Sequence, residues 1–215
     1  MTTAIATLSG GLDSAIAAAL HREQSGCDLQ RCLFFDYGQR ARVRELGAAE
    51  ALAQRWQVPL QVIAMPWLGE LAARSGSALM PGQEPPPVGT IACPGDQSSA
   101  RAVWVPARNA VFVSVAAAFA EAFGAEVVVT GFNREEAATF ADNSAEFVAA
   151  AETFLGLGTR TGVRVISPTL TMDKNGIVAA ARRLGFGADD FWSCYEGGAQ
   201  PCGRCESCLR SRWQR

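Results

Sequence analysis

The 215-residue sequence predicts an α/β protein built on a doubly wound, mainly parallel sheet of about five strands. Three observations lead there. Short apolar runs alternate with alanine-rich stretches of helical length. The runs are near-continuously hydrophobic, as strands are when both faces of their sheet are covered. The first run leads through a glycine turn directly into a helix, the connection at which open α/β sheets bind ligands.

The elements follow in order. Strand-length runs stand at Ile5–Leu8, Cys32–Phe35, Leu60–Ala64, Val127–Val129 and Val163–Ile166. Helical stretches stand at Asp13–Glu23, Arg40–Trp56, Ala107–Phe123, Ser144–Leu155 and Asn175–Leu184. The stretch Ala107–Phe123 is apolar almost all round, so it is expected to be buried, at a subunit contact for instance. Residues 66–106, rich in Gly, Pro and Ser and containing Pro85-Pro86-Pro87, read as one long loop excursion near the active site. The chain divides into an α/β domain, 1–190, and a cysteine-rich C-terminal segment, 191–215.

Apolar residues make up 49% of the chain, enough for a substantial core, and the net charge is -2. That balance argues against a nucleic-acid partner or an anionic membrane surface. No apolar run is long enough to span a bilayer and no basic region precedes an apolar one at the N-terminus, so the expected location is cytoplasmic. Seven cysteines, an odd count, argue against a disulfide framework. Cys27 and Cys32 read as small core residues, and Cys93 has no evident partner. The only histidine, His21, reads as a partly exposed helix residue. Lys174 is the only lysine among 19 Lys and Arg side chains.

Ser9-Gly10-Gly11-Leu12-Asp13-Ser14 sits between the first strand and the first helix. Glycines let a backbone approach an anion closely, and a helix N-terminus offers free N–H groups and a favourable dipole. The segment is a phosphate cradle, or else a plain turn capped by Asp13 or Ser14. It is not the P-loop of nucleotide triphosphatases, which needs Gly-x-x-x-x-Gly-Lys. Ligands bind at the carboxyl ends of the strands. Four segments are therefore expected at one crevice: Ser9–Ser14, Asp36–Arg40, Gly131–Glu136 and Ser167–Thr169. Cys194, Cys202, Cys205 and Cys208 supply four closely spaced thiols, the pattern of a tetrahedral structural zinc, with an iron–sulfur cluster as the competing reading.

Ser9–Ser14 resembles the pyrophosphate loop of the N-type ATP pyrophosphatases. Three further stretches narrow the resemblance: Phe35-Asp36-Tyr37-Gly38-Gln39-Arg40, Val105-Pro106-Ala107-Arg108-Asn109, and Ser193-Cys194-Tyr195 with the cysteine run ending in Cys208-x-Arg210. Together with Gly76–Leu79 and Phe140–Phe147 they resemble the 7-cyano-7-deazaguanine synthase family, over nearly the whole chain. The resemblance implies a HUP-type fold, one zinc and a homodimer. It also implies ATP- and Mg²⁺-dependent conversion of a carboxy-deazaguanine and ammonia into the nitrile. Ser9, Gly10, Gly11, Leu12, Asp13, Ser14 and Gly131 would then hold ATP. Lys174, Asp13 and Ser14 would serve catalysis, Lys174 as a charge on phosphate, while Asp13 reaches Mg²⁺ or caps the helix. Gln39, Arg40, Arg108, Asn109, Asn133, Asp142 and Glu146 would contact substrate, Asp142 or Glu146 accepting from the ring amine.

The chain departs from that family's pattern at Ala41, where histidine is usual, and at Phe191 and Val103, where threonine is. Glu135 or Glu136 stands for an expected aspartate. Such losses of polar groups also fit relatives associated with phage defence, which attach a deazaguanine to a protein amine. That acceptor is the alternative to ammonia.

Overall fold

The computed structural model describes residues 2–25, 28–88 and 98–211. Five strands, β1 (Thr3–Thr7), β2 (Asp28–Asp36), β3 (Leu60–Ala64), β4 (Val127–Val129) and β5 (Arg164–Ile166), form one sheet in the order β3-β2-β1-β4-β5. Every neighbouring pair is parallel, with Ile5 opposite Arg31 on one side and Val128 on the other. The chain winds outward one way from β1 through β2 to β3, and the other way from β4 to β5. The switch point therefore lies between the carboxyl ends of β1 and β4, where such sheets open a crevice.

The helices are α1 (Leu12–Ser25), α2 (Arg42–Trp56), α3 (Pro66–Arg74), α4 (Ser98–Ala102), α5 (Arg108–Phe123), α6 (Arg134–Ala137), α7 (Ala145–Gly158), α8 (Lys174–Arg183) and α9 (Glu206–Arg210). Side chains alternate across a strand, and here each set meets its own core. Ala4, Ala6, Phe34, Val127 and Val129 pack with Ile16, Leu52 and Ile177 of α1, α2 and α8. Ile5, Leu33, Phe35, Val128 and Val165 pack with Leu68, Val113 and Leu155 of α3, α5 and α7. Ile16 and Ile5 are fully buried, each worth about 1.5–3 kcal/mol relative to exposure. Ala15, Ala17 and Ala18, also fully buried, favour the helix and let α1 lie close to the sheet.

Three expectations need correction. The 66–106 stretch is not one loop. Pro66 begins α3 at the position where a missing N–H costs nothing, and Leu68 and Ala72, one turn apart, point into the core. The Ala78 N–H donates to the Ala102 carbonyl at 2.7 Å, tying the stretch to α4. Residues 89–97, with Cys93, lie outside the described residues, as does Cys27; Cys32 is buried in the core. Helix α5 is not buried all round: Val113, Ala116, Ala117 and Ala120 face the core, whereas Ser114 and Ala118 are exposed and Phe123 half exposed. Its apolar sequence hid a face of small residues. His21 is buried rather than partly exposed. Burial and the nearby Arg164 hold its pKa below the usual histidine range.

Close packing of α3 is tested at Gly69. A Cβ there would lie 2.0 Å from the Tyr37 carbonyl oxygen and 3.1 Å from Met80 Cε. Gly69→Ala is expected to destabilise by about 1–3 kcal/mol in a thermal melt. The sign decides, because in an unpacked helix alanine would instead stabilise by about 1 kcal/mol.

Candidate active site at the switch point

After β1 the chain turns at Gly10, whose φ is 77°. A Cβ on Gly10 would lie 2.1 Å from the Glu45 carbonyl oxygen of α2, so the turn demands glycine on both counts. The loop is fastened from within. Ser14 Oγ accepts from the Ser9 N–H at 3.2 Å, lies 3.0 Å from Ser9 Oγ and donates to the Gly11 carbonyl at 3.2 Å. Gly131, following β4, comes so near that a Cβ would stand 2.5 Å from the Ser14 nitrogen. The N-terminus of α1, with its unpaired N–H groups, thus opens beside the β4 loop. Ser167 and Thr169 were expected at the crevice but brace it from behind, each donating to the Phe132 carbonyl at 2.7 Å.

Lys174 begins α8 and crosses to this loop. Its ammonium lies 2.5 Å from Asp13 Oδ2 and 3.2 Å from Glu136 Oε1, with the lysine itself buried. Burial alone would lower its pKa; the two carboxylates reverse that and hold it above the usual lysine range. Burial raises Asp13 despite the lysine, whereas Glu136 is held below its ordinary value against burial by Lys174, Arg210 and Arg108. Asp13 is therefore an ion-pair partner rather than a cap. Its second oxygen, Oδ1, is buried with no hydrogen-bond partner among the described residues.

The facing wall is apolar and aromatic. Phe112 of α5 stacks on Phe35 with ring centroids 4.1 Å apart, and Leu79, Val103, Phe132 and Phe140 complete it. Arg108 enters this wall because Ala107, at φ 53°, turns the chain just before α5. Arg108 Nη1 donates to Tyr37 Oη at 3.4 Å, and Asn109 Nδ2 donates to the Asp142 carbonyl at 3.2 Å. Between the walls lies a cleft of about 300 Å³, at the small end of ligand-site volumes.

Ser9, Gly11, Leu12, Asp13, Ser14, Gln39, Arg108, Asn109, Gly131 and Lys174 all line the cleft. Other predicted contacts have different work. Arg40 spends its guanidinium on the carbonyls of Ala78, Gln83 and Glu84, clamping the segment after α3. Gln39 accepts from the Tyr37 N–H and donates to the Phe35 carbonyl and to Glu45 Oε2, so its amide is used up in holding the turn. Buried Asn133 caps α6 by accepting from the Glu136 N–H. Glu146 is exposed in the first turn of α7 and does not line the cleft. The Asp142 carboxylate, turned aside, accepts from Asn143 Nδ2 at 3.3 Å, and it is Asn143 that reaches the cleft. Sequence reasoning missed Glu45 and Glu206, which carry no motif signal. It quoted Tyr195 and Arg210 within a motif but gave them no role, and both line the cleft.

The four C-terminal cysteines converge, with all four Sγ atoms within 4.8 Å of one another and Cys202 and Cys208 Sγ 3.9 Å apart. Four thiolates around one tetrahedral metal at ordinary zinc–sulfur lengths stand about 3.8 Å apart, so the cluster fits a metal ion. The Cys202 and Cys205 N–H groups donate to the Sγ of Cys194 and Cys202, both at 3.3 Å. The segment packs over the cleft. The Trp192 N–H donates to the Gly10 carbonyl at 2.9 Å, and Arg44 Nε donates to the Gly198 carbonyl. Gly197 lies flush on Arg40 and Ala41, where a Cβ would meet the Arg40 carbonyl at 2.4 Å, so small Ala41 and a glycine share that contact. In α9, Glu206 is paired with Arg210.

The ion cluster yields a prediction. Lys174→Met leaves the largely buried Asp13 without its ion-pair partner, and Glu136 with only Arg210 and Arg108, expected to cost about 1–3 kcal/mol at neutral pH. In the variant the Asp13 carboxyl, raised by burial and no longer opposed by the lysine, titrates above its unfolded value, so on acidification the folded state binds that proton before the unfolded state does. Stability relative to wild type therefore recovers as pH falls from mildly alkaline to mildly acidic. Melts across that range check it, and a pH-independent deficit would refute it.

Residues 3–213 match the family model of the queuosine biosynthesis protein QueC. A 7-cyano-7-deazaguanine synthase of Pelotomaculum thermopropionicum is 46% identical over 96% of this chain and 93% of its own. One from Methanosarcina mazei is 39% identical over 96% and 90%. Among solved structures, a 4-thiouridine synthetase–RNA complex with bound ATP superposes with TM-score 0.53 at 20% identity, covering 99% of this chain and 50% of that one. The U34-tRNA thiolase NcsA of Methanococcus maripaludis gives TM-score 0.53 at 15% identity, over 87% of this chain and 59% of that one. These two likenesses are of fold alone. A family match across nearly every residue, on a switch-point cleft that gathers the same motifs, places the chain in the QueC family.

Proposed function

We propose that this protein converts 7-carboxy-7-deazaguanine and ammonia into 7-cyano-7-deazaguanine at the expense of ATP, a ligase forming carbon–nitrogen bonds. The observation that carries this reading is the two-sided cleft: a phosphate-type loop with Lys174 on one side, and Arg108 within an aromatic wall on the other. It is supported by relatives that bear the synthase name along nearly their full length.

The chemistry begins from a poor electrophile. A carboxylate yields an acyl group only when one oxygen becomes a leaving group, which adenylation by ATP provides. Negative charge then builds on the departing pyrophosphate, and donors fixed beforehand stabilise it best. The N–H groups at the start of α1, the hydroxyls of Ser9 and Ser14, and the Lys174 ammonium would supply them. The flat ring fits between Phe112, Phe132 and Phe140, with Arg108 toward its carboxylate and Asn109 and Asn143 toward its polar edge. Ammonia attack gives the amide, and activation of the amide oxygen in the same site permits its loss to leave the nitrile.

Two ions belong to this reading. Mg²⁺ would be held by Asp13, whose Oδ1 lacks a partner, and by Glu136, and it would neutralise phosphate charge. Zn²⁺ would be held by Cys194, Cys202, Cys205 and Cys208; a closed set of four thiolates gives it a structural role. A homodimer is also proposed, supported by Leu157 and Phe154 of α7, which are 88% and 59% exposed. Light scattering at a mass of two chains is the expected result.

The decisive test is mass spectrometry of products from zinc-loaded protein with ATP, Mg²⁺, ammonium and 7-carboxy-7-deazaguanine. The nitrile is expected, with ¹⁸O from labelled carboxylate recovered in AMP. Amide as the sole end product, or label absent from AMP, would refute the proposal.

A further inference from the structure

Four carboxylates line the cleft: Asp13, Glu45, Glu136 and Glu206. Lys174 pairs with Asp13 and Glu136, and Arg210 with Glu206. Glu45 makes no ion pair among the described residues. Resting on the reaction proposed above, we propose that Glu45 is the base that takes a proton from ammonium and releases ammonia for attack on the activated carboxylate.

The placement of Glu45 suits that work. It projects from α2 beside the glycine loop, whose Gly10 rests against the Glu45 backbone carbonyl. Its Oε2 accepts from Gln39 Nε2 at 2.9 Å. That amide is itself fixed by the Tyr37 N–H and the Phe35 carbonyl, so the carboxylate is held in one orientation. Oε1 has no hydrogen-bond partner among the described residues and is not sealed away. The charged and titratable groups toward Glu45 are Arg108 of α5 and Tyr37 of the turn after β2. The C-terminal segment contributes uncharged Trp192 and Ser193 to the same lining.

Ammonium has no lone pair, and at neutral pH it is the dominant form, so a proton must leave before nitrogen can attack. Burial pushes the Glu45 carboxyl up to about 6, against the pull of Gln39 and Arg108. A base in that range is still ionised at neutral pH and accepts a proton more readily than an ordinary carboxylate. Ammonium gives one proton to Glu45. The nitrogen lone pair forms the bond to the acyl carbon, and the bond from that carbon to the AMP oxygen breaks, its electron pair leaving with AMP. The second proton passes from nitrogen to water.

Hydroxylamine, which is mostly neutral at neutral pH, separates this role from others. Glu45→Gln is expected to lower amide formation from ammonium about 100-fold or more. Hydroxamate formation from hydroxylamine stays near the wild-type rate, as does exchange of labelled pyrophosphate into ATP with the deazaguanine acid. The hydroxylamine-to-ammonium rate ratio within one sample does not depend on the folded fraction, so it remains decisive for a weakened variant; Glu45→Ala should raise it likewise and Glu45→Asp much less. An unchanged ratio overturns the assignment, as does a raised KM for the acid with the ratio unchanged, which would make Glu45 a substrate contact. Absence of pyrophosphate exchange in wild type would instead refute the reaction itself.

Discussion

The site depends on one ion cluster. Lys174 is the only lysine in the chain, and it joins three segments distant in sequence: α8, which it begins, Asp13 in the first turn of α1, and Glu136 of α6, which follows β4. A buried ammonium survives only with counter-charge, and two buried carboxylates only with a cation. The three groups therefore fix one another. Because they sit where the strand order reverses, they also fix the width of the crevice between β1 and β4. With both oxygens of neither carboxylate consumed by the lysine, Asp13 retains an unpartnered oxygen beside the helix N-terminus. A site that gathers cation, carboxylate and free N–H groups in one place is arranged for a polyanion with its counter-ion.

Close backbone approach is the second constraint. Gly10 against Glu45, Gly131 against Ser14, Gly69 against Tyr37 and Gly197 against Arg40 each leave no room for a Cβ. These contacts lock the glycine loop to α2, to the β4 loop, and indirectly to α3 and the C-terminal segment. Arg40 does similar work with its side chain, gathering three carbonyls of the segment after α3. The residues around the cleft thus divide. Some hold the frame, among them Arg40, Gln39, Asn133, Ser167 and Thr169. Others, among them Ser9, Lys174, Arg108 and Glu45, present groups to it.

That division explains what was legible in the sequence. The strands were, because short apolar runs such as Val127–Val129, rich in β-branched residues and alternating with helical stretches, fit a sheet buried on both faces. The crevice was, because it follows from strand order. The glycine loop and the cysteine run were, because their spacing has a chemical reason. Whether a polar residue in a motif faces ligand or frame was not: Arg40 and Gln39 stand beside Tyr37, yet their side chains turn to carbonyls and to Glu45. Helix α3 was masked by the glycines and prolines around it, and Glu45 by lying within an ordinary amphipathic helix.

The cysteine segment is more than an attachment to the domain. Helix α9 spans only Glu206–Arg210, far below the length at which a helix is stable by itself. Its position is set by Cys205 and Cys208 at and within it, and by Cys194 and Cys202 before it. Yet Glu206, Ser207 and Arg210, with Tyr195, line the cleft, and the charge of Arg210 helps hold Glu136 ionised. The glycine loop is reached from the same segment through Trp192 and Gly10. Gathering the four sulfurs therefore orders a wall of the site and, through Arg210 and Glu136, bears on Lys174. The cysteine cluster and the ion cluster are two ends of one arrangement: the first sets where the wall stands, the second what charge it faces.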